Sequence, residues 1–94
     1  KERRSLPDDN IFAGMCRAWY EQHKYDKAID FGVIGTKYYR SAPGIHKYLA
    51  LSQKALGNID EAKITMMRAI LYEQHWNKDN LQENRKLLRE LNNH

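Results

Sequence analysis

Chemistry needs particular side chains at particular spacings, and this chain offers few candidates. Its four histidines, His23, His46, His75 and His94, never lie three or four residues apart and have no Asp, Glu or Cys cluster beside them, so metal-ligand spacing is missing. Structural or surface histidines are expected. Cys16 is the only cysteine, which excludes an internal disulfide and a multi-cysteine metal centre and favours a reducing, intracellular, cytoplasmic setting. It has no His or Asn in an arrangement that activates a thiol, and it shares an apolar stripe with Phe12, Met15 and Trp19. A buried structural thiol is expected. The sequence contains no glycine-rich phosphate loop, paired-carboxylate motif or serine-nucleophile elbow. These residues predict neither catalysis nor a metal or cofactor. The six tyrosines, with Tyr38 and Tyr39 adjacent, are expected mostly to pack between helices with the hydroxyl reaching water.

The elements that must position these side chains are helical. Apolar residues make up 41% and charged residues 30% of the 94 residues, a balance typical of one small soluble domain. No apolar run approaches the roughly eighteen residues of a membrane span. The chain has no initiator Met or secretory signal, so it reads as part of a longer protein. Its net charge of +4 draws half its value from Lys1, Glu2, Arg3 and Arg4, so the remainder is weakly basic and nucleic acid is not the expected partner. No stretch alternates apolar and polar residues between turn dipeptides, and five helices can be traced. The first follows Pro7-Asp8-Asp9 and ends near His23, with Ile11, Phe12, Met15, Cys16 and Trp19 on one side. The second runs from about Asp26 through Ala28, Ile29, Phe31, Ile34 and Tyr38 to the break at residues 41–44. Gly32 and Gly35 inside it require either a close helix crossing or a local irregularity. The third, Ile45 to Leu56, has Ile45, Tyr48, Leu49 and Leu56 for its apolar side and stops at Gly57-Asn58. The fourth, about Asp60 to His75, aligns Ala62, Met66, Ala69 and Ile70. The fifth, residues 79–92, aligns Leu81, Leu87, Leu88 and Leu91.

Two of the helix pairs repeat. Tyr25-Asp26-Lys27-Ala28-Ile29 and Ile59-Asp60-Glu61-Ala62-Lys63 fall at the same point of each. The step from Ala28 to Ala62 matches the period of the tetratricopeptide repeat, about 34 residues. The chain resembles two such repeats, residues 9–42 and 43–76, behind a polar segment 1–8 and followed by a capping helix at 79–92. The family's buried first-helix positions match Phe12, Met15, Cys16 and Trp19, then His46, Leu49, Ala50 and Gln53. Its small-large-small rhythm in the second helix is met by Ala62, Met66 and Ala69. In the first unit Gly32 stands where a large apolar residue is usual and Gly35 where a small one is.

The resemblance implies an all-α, α-solenoid-like fold of antiparallel helix-turn-helix repeats, and it implies a function. Stacked pairs bury their stripes against each other, and the first helices of successive units line a concave groove. Groove positions carried across from the family are Asn10, Ala13, Arg17, Tyr20 and Glu21, then Lys47, Leu51 and Lys54. Leu81, Arg85, Leu88 and Arg89 follow if the fifth helix continues the array. Arg17, Tyr20, Lys47, Leu51, Lys54, Arg85 and Arg89 are therefore the expected partner-binding residues. They imply a protein or peptide partner, acidic in character, held without catalysis. Chaperone-binding members hold a terminal carboxylate at positions that read Ala13, Arg17, Tyr48, Lys78 and Gln82 here. Only Lys78 fits that set. The alternatives are a substrate-binding segment of a larger enzyme and, more remotely, a weak nucleic-acid binder. Self-association is compatible with so short an array.

Overall fold

The computed structural model describes residues 9–40, 42–73 and 78–93. The polar segment 1–8, Ser41, residues 74–77 and His94 lie outside the described residues, and so do the expectations for His75 and His94. Five helices follow one another: α1 Asp9–Glu21, α2 Tyr25–Tyr38, α3 Pro43–Ala55, α4 Ile59–Glu73 and α5 Lys78–Asn92. The architecture is all-α and repeat-like, with no strand among the described residues. Each helix packs on the next, and α1 also packs on α3. The principal extents of 48 × 29 × 18 Å describe a slab about two helix diameters thick. Among the described residues no helix is long and apolar enough to cross a membrane.

The same backbone device ends the first helix of each pair. After α1, His23 takes a φ of 63°, its amide donating to the Tyr20 carbonyl at 3.0 Å and the Lys24 amide to that of Trp19 at 2.9 Å. After α3, Gly57 takes a φ of 87°, its amide donating to Lys54 at 2.9 Å and the Asn58 amide to Gln53 at 2.8 Å. Both are left-handed closures that satisfy carbonyls of the last turn. His23 and Gly57 stand one repeat period apart, like Ala28 and Ala62. Burial repeats at the same spacing: Cys16, Ala50 and Asn84 are all buried, as are the pairs Ala28 and Ala62, and Gly35 and Ala69.

The two interior glycines of α2 lie in an unbroken helix. A Cβ on Gly32 would stand 3.0 Å from the Leu49 Cβ, and one on Gly35 would stand 3.1 Å from the Ile45 Cδ1 and 3.2 Å from the Phe12 Cδ1. The close crossing is therefore the reason for the glycines, and α3 descends directly on the Ala28-Gly32-Gly35 edge of α2. This corrects the expected α2 stripe. With the small edge buried, Ile34 and Tyr38 face water, 46% and 55% exposed, while Ile29 and Phe31 are half-buried. Ile11 and Leu56 are also exposed, and Met15 and Trp19 are only half-buried. Trp19 stacks on Phe31, with ring centroids 6.2 Å apart.

Two apolar clusters make the core. Phe12, Cys16, Ala42 and Ile45 form one, flanked by Phe31, Tyr39 and Tyr48. The other joins Ala50 of α3, Ala62, Met66 and Ala69 of α4 and Leu91 of α5, flanked by Leu87 and Leu88. Burying Leu91 this completely contributes roughly 1.5–3 kcal/mol, which fastens α5 over α4. The roll of α5 differs from that of α3, however. Glu83 occupies the repeat position of buried Leu49 yet is exposed. The leucines of α5 turn its Leu81, Leu88 and Leu91 edge inward instead.

Candidate functional site

A run of contacts crosses from α1 over α3 to α5. At its α1 end, Arg17 Nε donates to Glu21 Oε2 at 3.0 Å, one helical turn on. That hydrogen bond, followed by the negative charges that Tyr48 and Glu21 can carry, holds the Arg17 guanidinium above its ordinary pKa. Tyr20 sits between two other tyrosines. Its ring centroid is 5.7 Å from that of Tyr25 and 6.0 Å from that of Tyr48, both tilted, a spacing that favours edge-to-face attraction. Partial burial, then the nearby Tyr25, Tyr48 and Glu21 groups, raise its hydroxyl pKa. Tyr25 in turn shares a 2.7 Å hydrogen bond with His23 Nδ1, so the left-handed turn holds one end of the aromatic row.

From Tyr48 the row passes to α3 and α5. Lys47 Nζ lies 5.5 Å from the centroid of the Tyr48 ring and donates to Glu83 Oε1 at 2.9 Å. The Lys47 side chain is only 15% exposed, so the pair is partly desolvated and more strongly coupled than a free surface pair. Leu51 and Lys54 continue the Lys47 edge at four- and three-residue steps and are half-buried. The structure thus brings Arg17, Tyr20, Lys47, Leu51 and Lys54 onto adjoining edges of α1 and α3. The side chain of Asn10 lies outside the described ones, and so does that of Lys78.

Arg85 and Arg89 stand elsewhere. Glu83 is the α5 residue that meets Lys47; at about 100° per residue, Arg85 is roughly 200° further round the helix and Arg89 about 240°. Both are exposed on the flank of α5 turned away from Lys47. The charge on the face differs from the expectation as well. Arg17 is paired with Glu21 and Lys47 with Glu83, which leaves Lys54, among the described residues, as the cation without an ion pair on these edges of α1 and α3. The face is aromatic first and basic second. Comparison with known protein families, curated proteins and solved structures finds no match.

The residues that sequence reasoning missed are Tyr25, Tyr48 and Glu83. Tyr48 reads as a core position because it is three residues from Ile45, and it does flank the core; its ring edge nonetheless reaches Tyr20. Tyr25 carries a signal in retrospect, since a closing turn brings the residue that opens α2 back beside the end of α1. Among the described residues no three His, Cys, Asp or Glu side chains gather as a metal site. Cys16 is buried, and burial pushes its thiol up to about 11, away from the range of a nucleophile.

Proposed function

We propose that this chain is a non-catalytic interaction module of tetratricopeptide type that holds an extended or helical segment of a partner protein across the face formed by α1, α3 and α5. The contact of Tyr20 with Tyr48 across two first helices carries the reading. It makes a rigid aromatic platform, and aromatic platforms with a nearby cation are what protein partners use as anchor points. Repetition of buried positions and of the closing turn at the tetratricopeptide period supports the repeat type. The partner segment that suits the face brings an apolar or aromatic anchor to the tyrosines and a carboxylate to Lys54, while the paired Lys47 and Glu83 supply a polar edge.

A display library of random peptides selected on the chain tests the proposal. Selected peptides should share an apolar anchor next to an acid. Lys54→Glu should weaken their binding about tenfold or more, because it replaces an attraction by a repulsion, and Tyr20→Ser should remove it. The same reversal at Lys63, on α4, should change it little. Peptides that bind the Tyr20→Ser and Lys54→Glu variants as tightly as the original chain would remove this face from consideration.

A further inference from the structure

A second surface lies on the other flank of α5. Ile64, Met67 and Leu71 follow one another along α4 at three- and four-residue steps and are 53%, 58% and 54% exposed. With Ile70 of the same helix and Leu88 of α5 they line an open groove of about 520 Å³, and the one charged residue in its wall among the described residues is Arg68. The strip from Ile64 to Leu71 is about 10 Å long, two helical turns, the reach of one amphipathic helix lying in a groove.

Stacking of the repeats does not account for this strip. The positions one repeat period earlier are Asp30, Val33 and Lys37, which remain exposed although α3 and α4 follow them. In the first pair this edge sets Val33 between two charged residues; in the second all three positions are apolar. Its rim is basic. Arg68 is in the wall, Arg85 lies one turn from Leu88, and Arg89 one turn from Arg85; none of the three has an ion pair among the described residues. Asp60 and Glu61 stand only at the start of α4, before Ile64. A second copy of this chain fits the groove poorly, because two-fold pairing sets the same arginines of both copies against each other.

We infer that this groove seats an amphipathic helix of a partner protein whose apolar stripe is flanked by carboxylates. The site is independent of the tyrosine face: Leu88 and Glu83 lie about 140° apart around α5. The probe is a designed helical peptide of about fifteen residues with leucines at i, i+3 and i+7 and glutamates on both flanks, together with a twin carrying lysines in place of the glutamates. Methyl-labelled methionine reports the place of binding, because Met15, Met66 and Met67 are the only three methionines and only Met67 faces the groove. The glutamate peptide should shift the Met67 methyl, leave Met15 unmoved and bind at least about tenfold more tightly than its twin. Arg68→Glu combined with Arg85→Glu should reverse the preference. Should that variant fail to fold, Met67→Glu, at an exposed position, should abolish binding by itself. Equal affinity for both peptides, no binding of either at about 1 mM, a shift at Met15 rather than Met67, or sedimentation of the free chain as a dimer that hides Met67 would each overturn the proposal.

Discussion

His46 shows how one side chain can set a pH limit on the fold. Its Nε2 lies 2.8 Å from the Arg40 carbonyl oxygen, which only accepts, so Nε2 carries the proton and donates. Nδ1 is then a bare, buried nitrogen with no hydrogen-bond partner. Its ring packs 5.2 Å from that of Tyr72. Burial, outweighing the carbonyl bond and reinforced by the Arg68 charge, lowers its pKa below the ordinary 6.5. A second proton would be held more readily by the unfolded chain than by the folded one. Stability associated with this group is therefore full above about pH 6.5 and declines as pH falls below it. Denaturation followed from pH 7.5 to pH 5 should show that decline, and His46→Gln should flatten it. Cys16 gives a second residue-scale expectation. With its thiol at about 11, alkylation at pH 8 should run about a hundredfold or more slower than for a free cysteine and recover in denaturant; fast labelling of the folded chain would mean that α1 opens readily. Both behaviours were half legible. The apolar stripe marks Cys16 as buried, whereas nothing in the spacing around His46 reveals the carbonyl that fixes its proton.

The two closing turns form a natural experiment in helix termination. Gly57 reaches its φ of 87° without a Cβ, while His23 holds 63° with one, and a left-handed L residue costs roughly 1–2 kcal/mol. Gly57→Ala should therefore destabilise the chain by about 1 kcal/mol or more. His23→Gly should stabilise it by less than that, since it also loses the exposed bond to Tyr25. Chemical denaturation of both variants checks the opposite signs. At the crossing of α2 and α3, Gly32→Ala should cost about 1–3 kcal/mol through overpacking. The gain in helix propensity, about 1 kcal/mol, does not offset it, because the obstructing atom is the Leu49 Cβ next to the backbone of α3. Turns and small residues leave a direct mark in sequence, which is why five helices could be read from it. The α5 side of the site could not be read from the resemblance to tetratricopeptide repeats. Leu81 and Leu88 served there both as groove positions and as the capping stripe, and one helix edge cannot be inside and outside together. The leucines decide the roll and carry Arg85 and Arg89 to the opposite flank.

On the scale of the whole molecule, the slab has a middle and an end. Helix α3 touches α1, α2 and α4, whereas α5 rests chiefly on α4 and reaches α3 through the Lys47 and Glu83 pair. The inward edge of α5 also carries Asn84, which is 1% exposed and whose amide nitrogen and oxygen both lack a hydrogen-bond partner. At the matching positions α1 has Cys16 and α3 has Ala50, which carry no such penalty. An unpartnered buried amide costs roughly 1–3 kcal/mol, which offsets about what the buried Leu91 contributes. The consequence is a weak end. Under native conditions α5 should detach as a unit while α1 to α4 stay assembled, so its amide protons should exchange with solvent deuterium well before those of α3 and report one common opening free energy. Asn84→Ala, which restores the small residue of the other two units, should slow exchange throughout α5 and leave that of α1 unchanged. An α5 whose amides exchange only with global unfolding would mean that the end of the array is as firmly closed as its middle.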